Sequence, residues 1–365
     1  MLVATGIIAG FVSACGPLVE GDGRALQPLS SSVKTQLSAM GSSAQAAMMI
    51  RIYKQDSVLE IWKEVPGGTF KLFKSYDICT FSGELGPKIR EGDRQSPEGF
   101  YTVTRGLLNP KSNYYLSFNI GFPNKFDRAY GRTGSNIMVH GDCSSRGCYA
   151  MTDIQVAEIY ALARESFAGG NRSFQVQIYP FRMTPQNLAL HSDSPNLAYW
   201  QNLKTGFDHT EVTGRPPTWD VCGGEYVFNA SAQSGRPLDA RAACPALSRD
   251  DDVERLVAAR QSAQQAIYET AVASYRAEQS QRAADLAKRE AEAILAAERS
   301  ASQAAAMAER NAAINQSVSG VGDAVGGFFQ NLFGGGNSNA DSTSPPMSVI
   351  NPAIVPPVPL NPPQR

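Results

Sequence analysis

Histidine is scarce in this chain: there are three in 365 residues, at positions 140, 191 and 209. A zinc site draws three or four ligands at recognisable spacing, so these scattered histidines argue against one, and neither a metal nor another cofactor is expected. Surplus charge is absent too. Lys and Arg total 33 against 34 Asp and Glu, a net charge of −1, so nothing points to nucleic acid or an anionic surface as partner. The apolar N-terminal run, Leu2 to Ala14, is too short to span a membrane. Tryptophan and most other aromatics end by about Phe228, and Arg249 to Ala313 contains neither proline nor glycine. These absences divide the chain into a folded, chemistry-bearing first two-thirds and a later part of a different kind.

Residues 1–15 read as an export signal: a short apolar stretch closes on Val12-Ser13-Ala14-Cys15-Gly16. Val-Ser-Ala-Cys resembles a bacterial lipobox, which would make Cys15 a lipidation site and limit membrane attachment to a lipid anchor. No Lys or Arg precedes Arg24, so the usual basic leader is missing. Export is the expectation, and it turns the six cysteines into an accounting question. Cys222 and Cys244 flank a Gly/Pro/Ser-containing loop and are natural disulfide partners. Cys79 and Cys143 are left to pair with each other, while a Cys143–Cys148 bridge is the competing arrangement. Residues 16–45, punctuated by Ser, Gly and Pro, read as a linker.

From Met48 the pattern becomes one of short strands and tight turns. Met49–Lys54, Val58–Lys63 and Thr69–Tyr76 form a meander, and further strands are predicted at Phe100–Arg105, Tyr115–Ile120, Asn136–His140 and Phe174–Tyr179. One helix is expected over Asp153–Phe167, with Val156, Ile159, Tyr160, Ala163 and Phe167 on one face and Gly169-Gly170 after it. Residues 46–215 are thus a mainly β domain with one or two helices. A Cys-containing appendix, 216–247, follows with little periodicity. Residues 248–316 are rich in helix formers and read as a long Ala-rich helix. Its seven-residue repeat, from Leu256 through Ala263 to Ala291, is coiled-coil-like but buries little apolar area. The Gly-rich then Pro-rich stretch 317–365 is expected to be a disordered tail.

The chemistry concentrates in His140-Gly141-Asp-Cys143-Ser-Ser145-Arg146-Gly147-Cys148. Ile137-Met138-Val139 is a strand delivering a histidine, a glycine-containing loop follows, and Thr152 to Gln155 is a capping box opening the helix. A potential base and a potential nucleophile therefore stand eight residues apart. Thiol acyl transfer needs that pairing, because the thiolate is the attacking species and a neighbouring imidazole generates it.

These residues resemble the L,D-transpeptidase catalytic domain of the YkuD type, and most closely its YafK-like branch. The resemblance rests on Gly83…Gly86-Pro87-Lys88…Gly92-Asp93, on Ser96-Pro97-Glu98-Gly99-Phe100-Tyr101, and on His140-Gly141 followed by Ser145-x-Gly147-Cys148. In the main branch a second histidine precedes Gly-Cys; here Arg146 stands there and the insert after His-Gly is short, as in the YafK-like branch. The resemblance implies that Cys148 is the nucleophile, that His140 is the proton acceptor, and that the Gly141 carbonyl orients the imidazole. It implies Gly147 and Cys148 N–H groups as oxyanion donors, with Ser145 and Arg146 serving the loop or the substrate. The substrate implied is a peptidoglycan stem peptide, acylating Cys148 through its meso-diaminopimelate carbonyl in the periplasm of a Gram-negative-type bacterium. The acceptor is an amine in a transpeptidase. In the alternative it is water, acting on cross-bridges or on a linked lipoprotein or outer-membrane protein. A non-catalytic envelope scaffold is the reading of another class. His191 and His209 are expected to be surface or supporting residues.

Overall fold

The computed structural model describes residues 22–333, with side chains to Val318. The lipobox-like segment 1–15 and the Pro-rich end of the tail lie outside the described residues. The chain falls into two units that divide between Arg282 and Ala283.

In the first unit, α1 (Asp22–Ala25) and α2 (Ser31–Ala39) precede a β hairpin series: β1 (Met48–Tyr53), β2 (Val58–Val65) and β3 (Thr69–Asp77). There follow β4 (Thr80–Phe81), β5 (Gly99–Thr104), β6 (Leu108–Asn109), β7 (Ser117–Asn119), α3 (Lys125–Ala129), β8 (Met138–His140) and β9 (Tyr149–Ala150). Helix α4 (Asp153–Ala168), β10 (Ser173–Tyr179), α5 (Pro185–Leu190) and α6 (Leu197–Thr213) complete the central part.

The strands build two five-stranded sheets, ordered β3-β2-β1-β10-β5 and β4-β9-β8-β7-β6. The meander expectation holds for β1 to β3, but β10 inserts parallel to β1, with Ile50 opposite Val176. Every residue of β1 is buried because both faces of its sheet are covered. One face packs Ile50, Ile52, Ile61, Val103 and Val176 against Phe118, Val139 and Tyr149 of the second sheet and Val156, Ile159 and Leu162 of α4. The other packs Tyr53, Phe100 and Tyr179 against Trp200 and Leu203 of α6. Helix α6 approaches so closely that a Cβ at Gly206 would sit 2.4 Å from Phe228 and 2.5 Å from Phe100. That contact explains a glycine inside a helix, where it costs about 1 kcal/mol relative to alanine.

Two expected boundaries need correction. Residues 22–45 are not a linker: Ser30 caps α2 by accepting from the Val33 N–H, and Leu29, Val33 and Leu37 are buried in the main core. Their spacing of four residues is a helical stripe that the surrounding serines obscure. The appendix 216–247 has regular structure, the hairpin β11 (Trp219–Cys222) with β12 (Glu225–Phe228), then β13 (Ala230–Ala232) paired with β14 (Leu247–Arg249). Its apolar residues are split: Val221, Tyr226 and Phe228 join the α6 cluster, while Cys222, Val227, Ala232 and Leu238 form a small cluster of their own. Helix α7 (Asp251–Phe333) is the long Ala-rich helix expected after the β-rich domain. The start of α7 packs on α6: Val257 is buried, and the Arg260 guanidinium lies 2.9 Å from the Asp208 carboxylate. From Arg276 to Val318 all its side chains are exposed.

Candidate active site

Strand β8 ends in His140, and β9 begins one residue after Cys148. The two strands run parallel, with Val139 opposite Tyr149 and His140 opposite Ala150. A parallel pair usually needs a crossover of a dozen or more residues, and here the chain returns in eight. The turn is made with left-handed backbone at Asp142 (φ 70°) and Cys143 (φ 41°), and with φ 130° at Gly147. Only glycine adopts that last conformation readily. Asp153 braces the loop, its carboxylate accepting the Asp142 N–H at 2.9 Å. Gly141 is required for space: a Cβ there would lie 2.5 Å from Asp153 Oδ1 and 3.0 Å from the Tyr114 carbonyl.

The expected disulfide partners are found. Cys79 bonds Cys143, so Cys143 is withdrawn from Cys148, and Cys222 bonds Cys244. Cys148 is the free cysteine among the described residues. Its Sγ accepts the Met138 N–H at 3.4 Å and faces the Asn136 carbonyl at 3.6 Å. His140 is 3% exposed, and its Nδ1 lies 2.6 Å from the Gly141 carbonyl oxygen. A carbonyl only accepts, so Nδ1 carries the proton and Nε2 keeps its lone pair. The ring also packs against Tyr114, with centroids 4.8 Å apart. Thiol and imidazole share one strand pair, yet both hydrogen-bond partners of the thiol are backbone groups.

Burial lowers the His140 pKa below the ordinary histidine value, outweighing its bond to Gly141. Burial also pushes the Cys148 thiol up, against the Met138 N–H and the charge of Lys88. The pair therefore rests as thiol and neutral imidazole rather than as an ion pair. Lys88, present in the Gly86-Pro87-Lys88 motif but given no role there, is the cation whose charge opposes the rise of the thiol. It is 3% exposed, with its ammonium 2.5 Å from Asp93 Oδ1 and 2.9 Å from the Arg90 carbonyl. Its signal was a lysine fixed between Pro87 and a turn aspartate. Arg146, by contrast, is exposed and has no hydrogen bond or ion pair among the described residues.

Ser145 holds the inner loop. Its Oγ accepts from the Gly147 and Cys148 N–H groups at 3.2 and 3.1 Å and donates to the Cys148 carbonyl at 2.7 Å. The two amides expected to be open oxyanion donors are thus occupied by a hydroxyl in this state. Ser82 Oγ sits 3.1 Å from Ser145 Oγ, and Ser96 Oγ donates to the Cys148 carbonyl at 3.3 Å. Beneath these serines Lys54 and Glu98, both fully buried, tie the 83–98 segment to the sheet. Along that segment runs a 490 Å³ cleft lined by Leu85, Pro87, Ile89, Arg90, Gln95 and Asn196. It reaches the nucleophile loop at Gln95, whose carbonyl oxygen would lie 3.9 Å from a Cβ added at Gly147. The other histidines lie elsewhere. His191 stacks on Phe181, and His209 is buried between Asn229 and Glu254 rather than at the surface.

The model of the L,D-transpeptidase catalytic domain (YkuD) matches residues 45–178. YafK of Escherichia coli (strain K12), named provisionally as an L,D-transpeptidase, is 43% identical over 228 residues, 62% of this chain and 89% of YafK. Among solved structures, Pgp2 of Campylobacter jejuni, a helical cell shape determining protein, covers 52% of this chain and 68% of its own, at 23% identity and a TM-score of 0.31. Bd1075 of Bdellovibrio bacteriovorus covers 38% of this chain and 49% of its own, at 21% identity and a TM-score of 0.26. Those two likenesses are too slight to carry an argument. The match to YafK over most of its length is not: this chain belongs to the L,D-transpeptidase family and has a peptidoglycan-related function of the L,D-transpeptidase type.

Proposed function

We propose that the protein is a cysteine acyltransferase, an L,D-transpeptidase that acylates Cys148 with a peptidoglycan stem tetrapeptide and passes the acyl group to an amine. One observation carries this reading: a free thiol stands directly before β9, and a buried, Nδ1-protonated imidazole ends β8, the parallel strand paired with it. His140 Nε2 takes the thiol proton as Sγ attacks the meso-diaminopimelate carbonyl. The tetrahedral intermediate then collapses, the C–N bond to D-alanine breaks, and the imidazolium protonates the departing amine. An acceptor amine attacks the thioester, gives its proton to His140 and restores the thiol. Gly141 positions the imidazole through its carbonyl. The Gly147 and Cys148 amides, now donating to Ser145 Oγ, turn to the substrate oxygen as its charge develops. Losing one such donor typically costs about 10²–10³ in rate. Arg146, at the exposed rim, is free to meet a substrate carboxylate.

The site of action that fits this chemistry is the periplasm, reached by export and with Cys15 as the lipidation candidate. An envelope lipoprotein or outer-membrane protein fits as acceptor or as linked substrate. The test is to incubate the full chain with purified sacculi and analyse the muropeptides by mass spectrometry. New 3–3 cross-links or exchanged D-amino acids, lost in Cys148→Ala, are expected. Release of linked peptide without new bonds would assign water as the acceptor. A muropeptide profile identical for wild type and Cys148→Ala would sink the enzymatic reading in favour of a scaffold.

A further inference from the structure

Away from the His140 loop, α5, α6 and residues 261–268 of α7 line a half-open cavity of 290 Å³. Its wall is unusually rich in carboxamides: Gln201 from α6, and Gln261, Gln264 and Gln265 from α7. Leu188 and Tyr268 supply an apolar side. The one charged lining residue, Lys204, is neutralised by the fully buried Asp208 carboxylate 2.5 Å away. Gln264 Oε1 is buried and has no hydrogen-bond partner among the described residues. Buried polar atoms are normally paired, so this unpaired acceptor in a wall residue is an exception.

We propose that this cavity binds a neutral N-acetylated saccharide, one sugar of the glycan strand that bears the stem peptide. The glycan as source rests on the peptidoglycan reading above; the chemistry of the wall does not. Carboxamides both donate and accept, which matches hydroxyl and acetamide groups on one ring. The apolar side suits the C–H face and the acetyl methyl, and a wall without net charge gives an anion no purchase. The volume is at the small end for ligand sites, room for a single ring rather than an oligomer. Helix α6 also links the two sites. Asn196, just before it, lines the cleft beside the nucleophile loop, while Gln201 stands roughly 7.5 Å farther along the axis. A sugar held here would tether its own stem peptide near the thiol.

The experiment is titration of chitotriose, a neutral oligomer of N-acetylglucosamine, into the full chain, followed by saturation-transfer NMR and calorimetry. Wild type and Cys148→Ala are expected to bind equally. Gln264→Leu, and Gln201→Ala at an exposed position where folding is not at risk, are each expected to weaken binding about tenfold. Absence of chitotriose binding, equal binding by both glutamine variants, or its displacement by neutral trialanine would overturn the proposal. The two readings fail separately. Normal Cys148-dependent muropeptide products without chitotriose binding reject the cavity alone, and saccharide binding with no such products rejects the acyltransferase alone.

Discussion

Replacing Lys54 by methionine removes the buried cation on which the loops around the thiol converge. Its ammonium reaches the Glu84 carbonyl at 2.7 Å and the Gly86 and Ser96 carbonyls and Glu98 Oε1 at 3.1 Å each. Glu98 in turn accepts the Gly86 N–H at 2.6 Å and the Trp200 indole N–H at 2.8 Å. Both side chains of the pair are 0% exposed, so Lys54→Met leaves a carboxylate charged, buried and without a counter-ion. Breaking one side of a buried pair costs about 3–5 kcal/mol, because desolvation of the remaining charge is no longer offset. At about 2–4 °C per kcal/mol for a domain of this size, Tm should fall by about 6–20 °C. Guanidinium unfolding followed by tryptophan fluorescence is a suitable assay, since Trp200 touches the carboxylate directly. Adding Glu98→Gln should recover part of the loss: a carboxamide oxygen still accepts from Gly86 or Trp200, and no charge remains. The argument fails if Lys54→Met costs less than about 1 kcal/mol, or if the two losses simply add as independent sites do.

Four further outcomes follow from the site and from the buried histidines. His140 must be neutral to take the thiol proton, and burial lowers its pKa, so the acidic limb of kcat/KM should lie below the ordinary histidine value of about 6.5. His191 and His209 are lowered by burial as well, so the unfolded chain binds more protons below that value and stability should decline as pH falls through it, as denaturation at stepped pH will show. Gly141→Ala forces a methyl against Asp153 and the Tyr114 carbonyl, and should cost about 1–3 kcal/mol and displace the carbonyl that holds the imidazole, lowering kcat more than KM changes. Cys79→Ser opens a cross-link spanning 64 residues, a loss of roughly 4 kcal/mol on chain entropy, and leaves the Cys143 thiol free. In oxidising buffer that variant should lose Cys148 labelling by maleimide, whereas Cys79→Ser/Cys143→Ser should keep it.

The parts of this molecule that could be read from residues alone are those whose physics is local. The strands of the meander alternate and end at turns, α4 carries both halves of its capping box, and Ser145-x-Gly147-Cys148 follows His140-Gly141 within one loop. What escaped reading depends on contacts made over long sequence distances. Helix α6 looks poor because Gly206 interrupts it, yet that glycine is what lets the helix meet Phe100 and Phe228. Strand β10 pairs parallel to β1 from more than a hundred residues away, and no local pattern announces that partner. The same division runs through the site. The histidine, the thiol and the glycine that turns the loop were visible because they are sequence neighbours. Lys88 was visible as a motif residue but its role was not, because its effect on the thiol arises from tertiary packing that buries its ammonium against Asp93. Arg146 illustrates the converse: it is the cation adjacent to Gly147-Cys148, but a side chain in solvent is screened, and a buried lysine earlier in the chain is screened far less.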